Sequence, residues 1–321
     1  MTRQNIAVWG IGRHAQNRIL PAINASSFME LIGVCSRNIT VVSQCSDTWD
    51  CIGWTNPDEM LSNPEVNIVY ISTPIGIHYS MVKKTLNSGK HVWCEKPLTC
   101  NYDHTKELIS LSKRKNRVLI EAFMYLHHPQ FKRVLNFVNE TKNVTSIICR
   151  FGIPKLEKPG FRNKLNLCGG AFWDIASYNT SLILSLFPNQ KIEVIFAEIN
   201  KDNTGLDVNG RSLLRTSKGV TAYLEWSSGV AYKNEIDIWS EEGSFFTEKI
   251  FSKPKNYKPI YYLRDKNGNQ SIEHEGEYEQ FEEMINKFVK LMLNESKIAI
   301  ERKKIVDRAK LMKAIANFCK N

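Results

Sequence analysis

Lys96 stands in the stretch WCEKPLT (93–99), where a run with the character of a buried strand ends on two adjacent charges and a proline. Leaving an ammonium dry and unanswered costs several kcal/mol. Lys96 is therefore either tied to Glu95 or aimed at a ligand, where an ammonium can polarise a carbonyl or stabilise an alkoxide. Asp174 and Tyr178, in GGAFWDIASY (169–178), are four residues apart and project from one face of an expected helix. A carboxylate and a phenol on one face, downstream of Arg162, suit the binding and protonation of a polyol or ketone. On their own they equally suit a helix-side hydrogen-bonding group and a core aromatic.

A second constellation, Gly10-Ile11-Gly12-Arg13-His14-Ala15, closes the first apolar run. There the first glycine permits a tight turn, the second lets a pyrophosphate approach the backbone, and Ala15 is small enough for close helix packing. The end of the second expected strand carries Ser36-Arg37-Asn38, where an NAD site would have an Asp or Glu. A hydroxyl and a guanidinium hold a 2′-phosphate that an acid would repel, so the cofactor expected is NADP rather than NAD.

These residues need a scaffold. Strand-like runs at 6–12, 31–37, 67–73 and 91–95 alternate with helical stretches, the signature of a doubly wound parallel sheet covered on both faces. From about residue 123 strands follow one another at 144–153, 191–200, 210–228 and 234–248, with turn signals at 218–219 and 241–243. The expectation is an α/β chain: a doubly wound domain over 1–122, then a domain over 123–321 with an antiparallel sheet and helices packed on one side of it. Helices are expected at 172–187, 277–293 and 300–319. The last of these either packs back on the first domain or takes part in oligomer contacts.

Composition narrows the function further. The chain has 321 residues, 42% hydrophobic and 24% charged, and a formal net charge of +10. No apolar run reaches membrane-spanning length and no signal-peptide pattern opens the chain, so the expected location is the cytoplasm. The basic clusters at 113–117 and 301–304 lie in amphipathic helical stretches without interleaved aromatics or a nucleic-acid motif, which argues for solvated faces and against nucleic-acid binding. The eight cysteines form no CxxC pair and are expected to be free thiols. His127 and His128 have no metal spacing, and no metal is expected.

GIGRHA (10–15), STPIGIHYS (72–80), GKHVWCEKPLT (89–99), EAFMYLHHPQ (121–130) and GGAFWDIASY (169–178) together resemble the Gfo/Idh/MocA family of nicotinamide-dependent sugar and cyclitol oxidoreductases. The resemblance implies a Rossmann domain over 1–122 followed by an α+β domain over 123–321 with an open, largely antiparallel sheet, and that Gly10, Gly12, Arg13, His14, Ser36, Arg37, Thr73, Pro74, His78, Glu95 and Lys96 surround the cofactor. It also implies that Lys96, Asp174 and Tyr178 carry the chemistry, with Tyr178 exchanging a proton with the substrate oxygen. A nearby ammonium would favour the phenolate. Arg162, Lys164, Asp174 and Tyr178 are the residues expected at the substrate. The tyrosine form, with EAFMY and Ser-Arg, resembles the branch of glucose-fructose oxidoreductase, dimeric dihydrodiol dehydrogenase and certain nucleotide-sugar ketoreductases. Ile75, Cys168 and Ala176 depart from residues frequent in the family.

The expected function is hydride transfer between NADP and a sugar carbonyl or hydroxyl, on a nucleotide-linked keto sugar, in a homodimer or homotetramer. Two other readings remain open: a dehydrogenase of free sugars, inositols or dihydrodiols, and a non-catalytic NADP-sensing protein.

Overall fold

The apolar runs of the first third become β1 (Gln4–Trp9), β2 (Met29–Cys35), β3 (Ile52–Trp54), β4 (Ile68–Ile71), β5 (His91–Glu95) and β6 (Leu119–Ala122) in the computed structural model, which describes residues 3–319. They align in the order β3-β2-β1-β4-β5-β6, each pair parallel. Parallel neighbours require crossovers, and α1 (Leu20–Ala25), α2 (Ile39–Trp49), α3 (Pro57–Ser62), α4 (His78–Asn87) and α5 (Tyr102–Arg114) lie in them. All four residues of β4 are buried, as a strand covered on both faces requires. The strand order reverses between β1 and β4, which opens a crevice at their carboxyl ends, where Gly10 and Ser72 lie.

The second unit contains α6 (Pro129–Glu140), α7 (Ser177–Leu186) and eight strands. These are β7 (Val144–Ile153), β8 (Ile192–Lys201), β9 (Asp207–Thr216), β10 (Thr221–Ser228), β11 (Lys233–Ser240), β12 (Gly243–Glu248), β13 (Ile260–Asp265) and β14 (Gln270–His274), in the order β14-β13-β12-β11-β7-β10-β9-β8. Six of the seven pairings are antiparallel, but β7 and β10 run parallel. The exception arises because β7 and β10 are not successive: the chain passes through α7, β8 and β9 before β10 arrives beside β7. The sequence reading overlooked β13 and β14, although Asn267-Gly268 between them is a hairpin signal and Gly268 takes φ +88°.

The expected amphipathic helix over 172–187 differs from what forms. Phe172–Ala176 is a π-helical turn, α7 follows it, and the polar residues Ser177, Asn179, Thr180 and Ser181 are buried. The sheet covers one side of α7: Asn179 donates to the carbonyls of Cys149 (3.2 Å) on β7 and Glu225 (3.1 Å) on β10. Local acceptors and neighbouring side chains meet the others, for Thr180 reaches the Ala176 carbonyl at 3.1 Å and Ser181 accepts from the Tyr125 hydroxyl at 3.0 Å. A helix buried on all sides tolerates polar residues only when each has such a partner.

The chain ends in α8 (Gln280–Met292) and α9 (Glu295–Phe318). The first compact unit comprises residues 3–123 with 281–306, and the second 124–280 with 307–319. Within the first, Phe288 stacks on Trp93 at a centroid distance of 4.4 Å, and Ile305 joins the core with Leu108, Leu111 and Leu119. Among the described residues no helix is long and apolar enough to cross a membrane. Cys35, Cys45, Cys51, Cys94, Cys149 and Cys319 are free thiols; Cys100 and Cys168 fall outside that set, which corrects the expectation of eight.

Candidate functional site

In the first unit the candidate residues gather at the carboxyl ends of β1, β2, β4 and β5. Gly10 has φ +105°, and a Cβ there would lie 2.5 Å from the Ser72 carbonyl oxygen and 2.6 Å from Thr73 Cγ2. The β1 turn thus packs directly on the β4 loop, which only glycine permits. Gly12 is the opposite case: it is exposed and an added Cβ meets nothing within 4 Å, so its backbone faces open space of the kind a diphosphate needs. Ala15 is fully buried and begins a π-helical turn, Ala15–Ile19, before α1. Pro21, which lacks an N–H and excludes an ordinary helical bond at that point, accounts for the wider turn.

At the end of β2, Asn38 caps α2 by accepting the Val41 N–H at 3.2 Å, while Arg37 is exposed and no carboxylate occupies positions 36–38. Open backbone at Gly12, an exposed guanidinium and no acid form a set that fits a dinucleotide bearing a 2′-phosphate. Arg13 and His14 are exposed in the same turn.

Glu95 and His78 hold the Lys96 segment. Glu95 Oε1 meets His14 Nε2 at 2.8 Å and also accepts from the buried Tyr70 hydroxyl. Burial pushes the Glu95 pKa up, yet the His14 charge, the hydrogen bonds from His14 and Tyr70, and the Lys96 charge together hold it below the usual carboxylate value. Lys96 is nine-tenths buried, and its peptide bond to Pro97 is cis. His78 has no exposed surface; Nδ1 lies 3.0 Å from the Pro97 carbonyl and Nε2 2.8 Å from the Thr73 carbonyl. The ring thus lies between the β4 loop and the Lys96-Pro97 turn, one of its nitrogens donating to a carbonyl. The Thr73 hydroxyl points at Met81 Sδ (3.2 Å), Pro74 leads into a 3₁₀ turn, and Ile75 packs in the interior.

In the second unit Arg162, Asp174 and Tyr178 share one end of α7. Arg162 Nε donates to Asp174 Oδ2 at 2.6 Å, and its guanidinium lies 4.9 Å from the Phe161 ring centroid. The two residues expected to contact substrate separately thus form an ion pair, with Asp174 buried and Arg162 partly exposed. Tyr178 is 8% exposed; its ring lies among Tyr125, Phe151 and Phe251, and its hydroxyl is 3.6 Å from Met124 Sδ. Lys164 is exposed, and its carbonyl accepts the Gly169 N–H at 3.0 Å.

Sequence reasoning missed Asp207. Its carboxylate accepts the Phe172 N–H at the start of the turn that carries Asp174, and lies where a Cβ on Gly170 (φ +102°) would fall. Burial raises its pKa, while bonds from the Phe172 and Ala171 backbone oppose the rise. An Asp at the start of β9 carries no local sign that it supports a helix 35 residues earlier.

Two family profiles match the chain: the oxidoreductase family with NAD-binding Rossmann fold over residues 4–123, and the GFO/IDH/MocA C-terminal domain over 140–246. A dTDP-3,4-didehydro-2,6-dideoxy-alpha-D-glucose 3-reductase of Streptomyces violaceoruber is 30% identical, covering 83% of this chain and 78% of its own. The reductase of the same description from Actinomadura kijaniata is 27% identical over 90% of this chain and 87% of its own. The crystal structure of KijD10, a 3-ketoreductase from Actinomadura kijaniata in complex with NADP and TDP-benzene, superposes with a TM-score of 0.92 at 25% identity, covering 98% of both chains.

Proposed function

Since this chain belongs to the Gfo/Idh/MocA oxidoreductase family, we propose that it reduces the keto group of a nucleotide-linked sugar with NADPH. The observation that carries this reading is the reach of the similarity: the keto-sugar 3-reductases match across both units rather than the nucleotide-binding unit alone. The net charge of +10 favours capture of a diphosphate-bearing substrate.

When bound, the nicotinamide supplies the hydride. Gly10, Gly12, Arg13, His14, Thr73 and Pro74 form its phosphate and ribose surroundings, and Ser36 with Arg37 receives the 2′-phosphate. Lys96 holds the carbonyl oxygen and stabilises the negative charge that develops on it. Tyr178 gives its phenolic proton to that oxygen and takes it back in the reverse direction. Glu95, fixed by His14 and Tyr70, keeps the Lys96 segment in place. Asp174, held by Arg162, orients substrate hydroxyls, and Lys164 meets the nucleotide portion.

Calorimetric titration with NADPH and NADH, then with dTDP-, UDP- and CDP-linked sugars in the presence of NADPH, tests the reading. Tight NADPH binding and a further heat from one carrier are expected; a response to free polyols instead would sink it. Arg37→Asp should weaken NADPH roughly 10- to 100-fold relative to NADH, the scale of one charge-assisted hydrogen bond. An unchanged affinity ratio would place the 2′-phosphate elsewhere.

A homo-oligomer is part of the same proposal. On the sheet face that carries Ile148, the side chains of Phe196, Trp239, Tyr262 and Ile272 are 44%, 64%, 44% and 58% exposed. A neighbouring row on that face alternates charge, with Arg150 between Glu225 (3.0 Å) and Glu235 (3.1 Å) and Arg211 on Glu198 (2.9 Å). Alternating charges beside apolar area suit a second copy of the same face. Trp239→Glu is expected to shift sedimentation toward the monomer, and an unaltered sedimentation coefficient would exclude this face.

A further inference from the structure

The two basic clusters of the sequence meet at the end of the parallel sheet remote from Gly10. Arg302 Nη2 donates to the Arg117 carbonyl at 3.0 Å, and Arg117 lines a cavity of about 260 Å³ together with Lys90, His91, Gln4 and Asn67. Gln4 opens β1, Asn67 precedes β4, His91 opens β5 and Arg117 lies just before β6. The cavity therefore sits at the amino ends of four adjacent strands, about 15 Å, the length of such strands, from the turns at their carboxyl ends. We propose that it is a separate binding site for a phosphate-class oxyanion, free or as the terminal group of a small phosphorylated metabolite, held by Lys90, Arg117 and the Nε2–H of His91.

Charge and donor geometry carry the assignment. None of the lining residues is acidic, and neither Lys90 nor Arg117 has a carboxylate partner among the described residues. Both cations do close off nearby backbone: Lys90 Nζ donates to the Asn63 carbonyl (2.9 Å), and Arg117 donates through Nε to Gly89 and through Nη1 to Asn116 (2.9 Å). Capping does not exhaust them, because Arg117 Nη2 and two N–H groups of Lys90 have no protein acceptor among the described residues. His91 Nδ1 accepts the Val118 N–H at 3.0 Å, which places the proton of the neutral ring on Nε2.

The titration of these groups points the same way. Burial, and then the Arg117 charge, pushes His91 down to about 4, and the same two causes lower Lys90. An anion between them reverses the electrostatic part of both effects. Size limits the ligand: the volume falls below the roughly 300–1,000 Å³ of pockets for drug-sized molecules, so the cavity takes a head group. A tetrahedral oxyanion matches the guanidinium fork and the converging ammonium.

The test follows the His91 ring resonance in the full chain, assigned by its loss in His91→Gln, during titration with inorganic phosphate, with AMP, and with sodium chloride at equal ionic strength. Phosphate is expected to shift the resonance saturably and to raise the His91 pKa by about one unit or more. Lys90→Gln and Arg117→Gln should each weaken that binding about tenfold or more. Tighter saturation by AMP would identify a phosphorylated metabolite and equal saturation the free ion, either of which supports the site. No saturable shift with either probe, or the same shift with chloride, would overturn it. Because Arg117 also closes backbone, Arg117→Gln could fail to fold; Lys90→Gln then decides, and unchanged phosphate affinity in it refutes the proposal. His91 reports locally, so the outcome is independent of turnover and of the nicotinamide cofactor.

Discussion

Lys96→Ala is expected to lower kcat on the responsive nucleotide sugar by about 10²- to 10³-fold, with the Kd for NADPH changed only a few-fold. The magnitude is that of removing one preorganised charge from a developing oxyanion. Tyr178→Phe, which deletes only the phenolic oxygen, should cost about 10²- to 10⁴-fold, the usual range for a positioned general acid. Both losses should appear in single-turnover oxidation of NADPH, which separates chemistry from release. The two variants also differ in what they disturb. Lys96 lies within electrostatic reach of the Glu95 carboxylate, whereas Tyr178 lies in an aromatic cluster that phenylalanine fills without loss of packing. A Tyr178→Phe enzyme that folds normally and turns over like the wild type would remove the phenol from the mechanism.

The second large effect is a contrast between two glycines. Gly10→Ala is expected to destabilise the first unit by about 3 kcal/mol or more and to abolish NADPH binding. The added methyl meets a backbone carbonyl that cannot swing away, and φ at +105° is strained for any side chain. Gly12→Ala should leave stability within about 0.5 kcal/mol, since its Cβ enters open space. It should nevertheless weaken NADPH strongly, because that space is the proposed place of the diphosphate. Thermal unfolding and calorimetry on the same two proteins separate the roles. Equal destabilisation by both substitutions would contradict the packing difference, and undiminished NADPH affinity in Gly12→Ala would contradict the phosphate role.

Periodicity and turn chemistry were enough to define β1, β2, β4 and β5, the glycine turn, the acid-free end of β2 and the strands from β7 to β12, because each is encoded by neighbours in the chain, whereas β3, β6, β13 and β14 were not read. Motif order was enough to indicate the family. What the sequence could not express are contacts whose partners are far apart along it. Asp207 supports the turn bearing Asp174 from another strand, and Tyr70 and His14 converge on Glu95 from two different elements. His78, which by type belongs with ligand-binding residues, is enclosed with its two nitrogens lying against carbonyls of separate loops. The burial of polar residues all round α7 follows from the sheet on one side and its local acceptors, which no helical period can reveal. Likewise, Arg117 belongs to a basic cluster that reads as a solvated face in the chain, and it comes to line one cavity with Lys90 only when β1, β4, β5 and β6 bring their starting ends together. Local conformational preference and apolar pattern thus determined the elements and their class, whereas burial, ion pairing and the direction in which each polar group points were decided by tertiary packing, since those depend on which surfaces share the same excluded water.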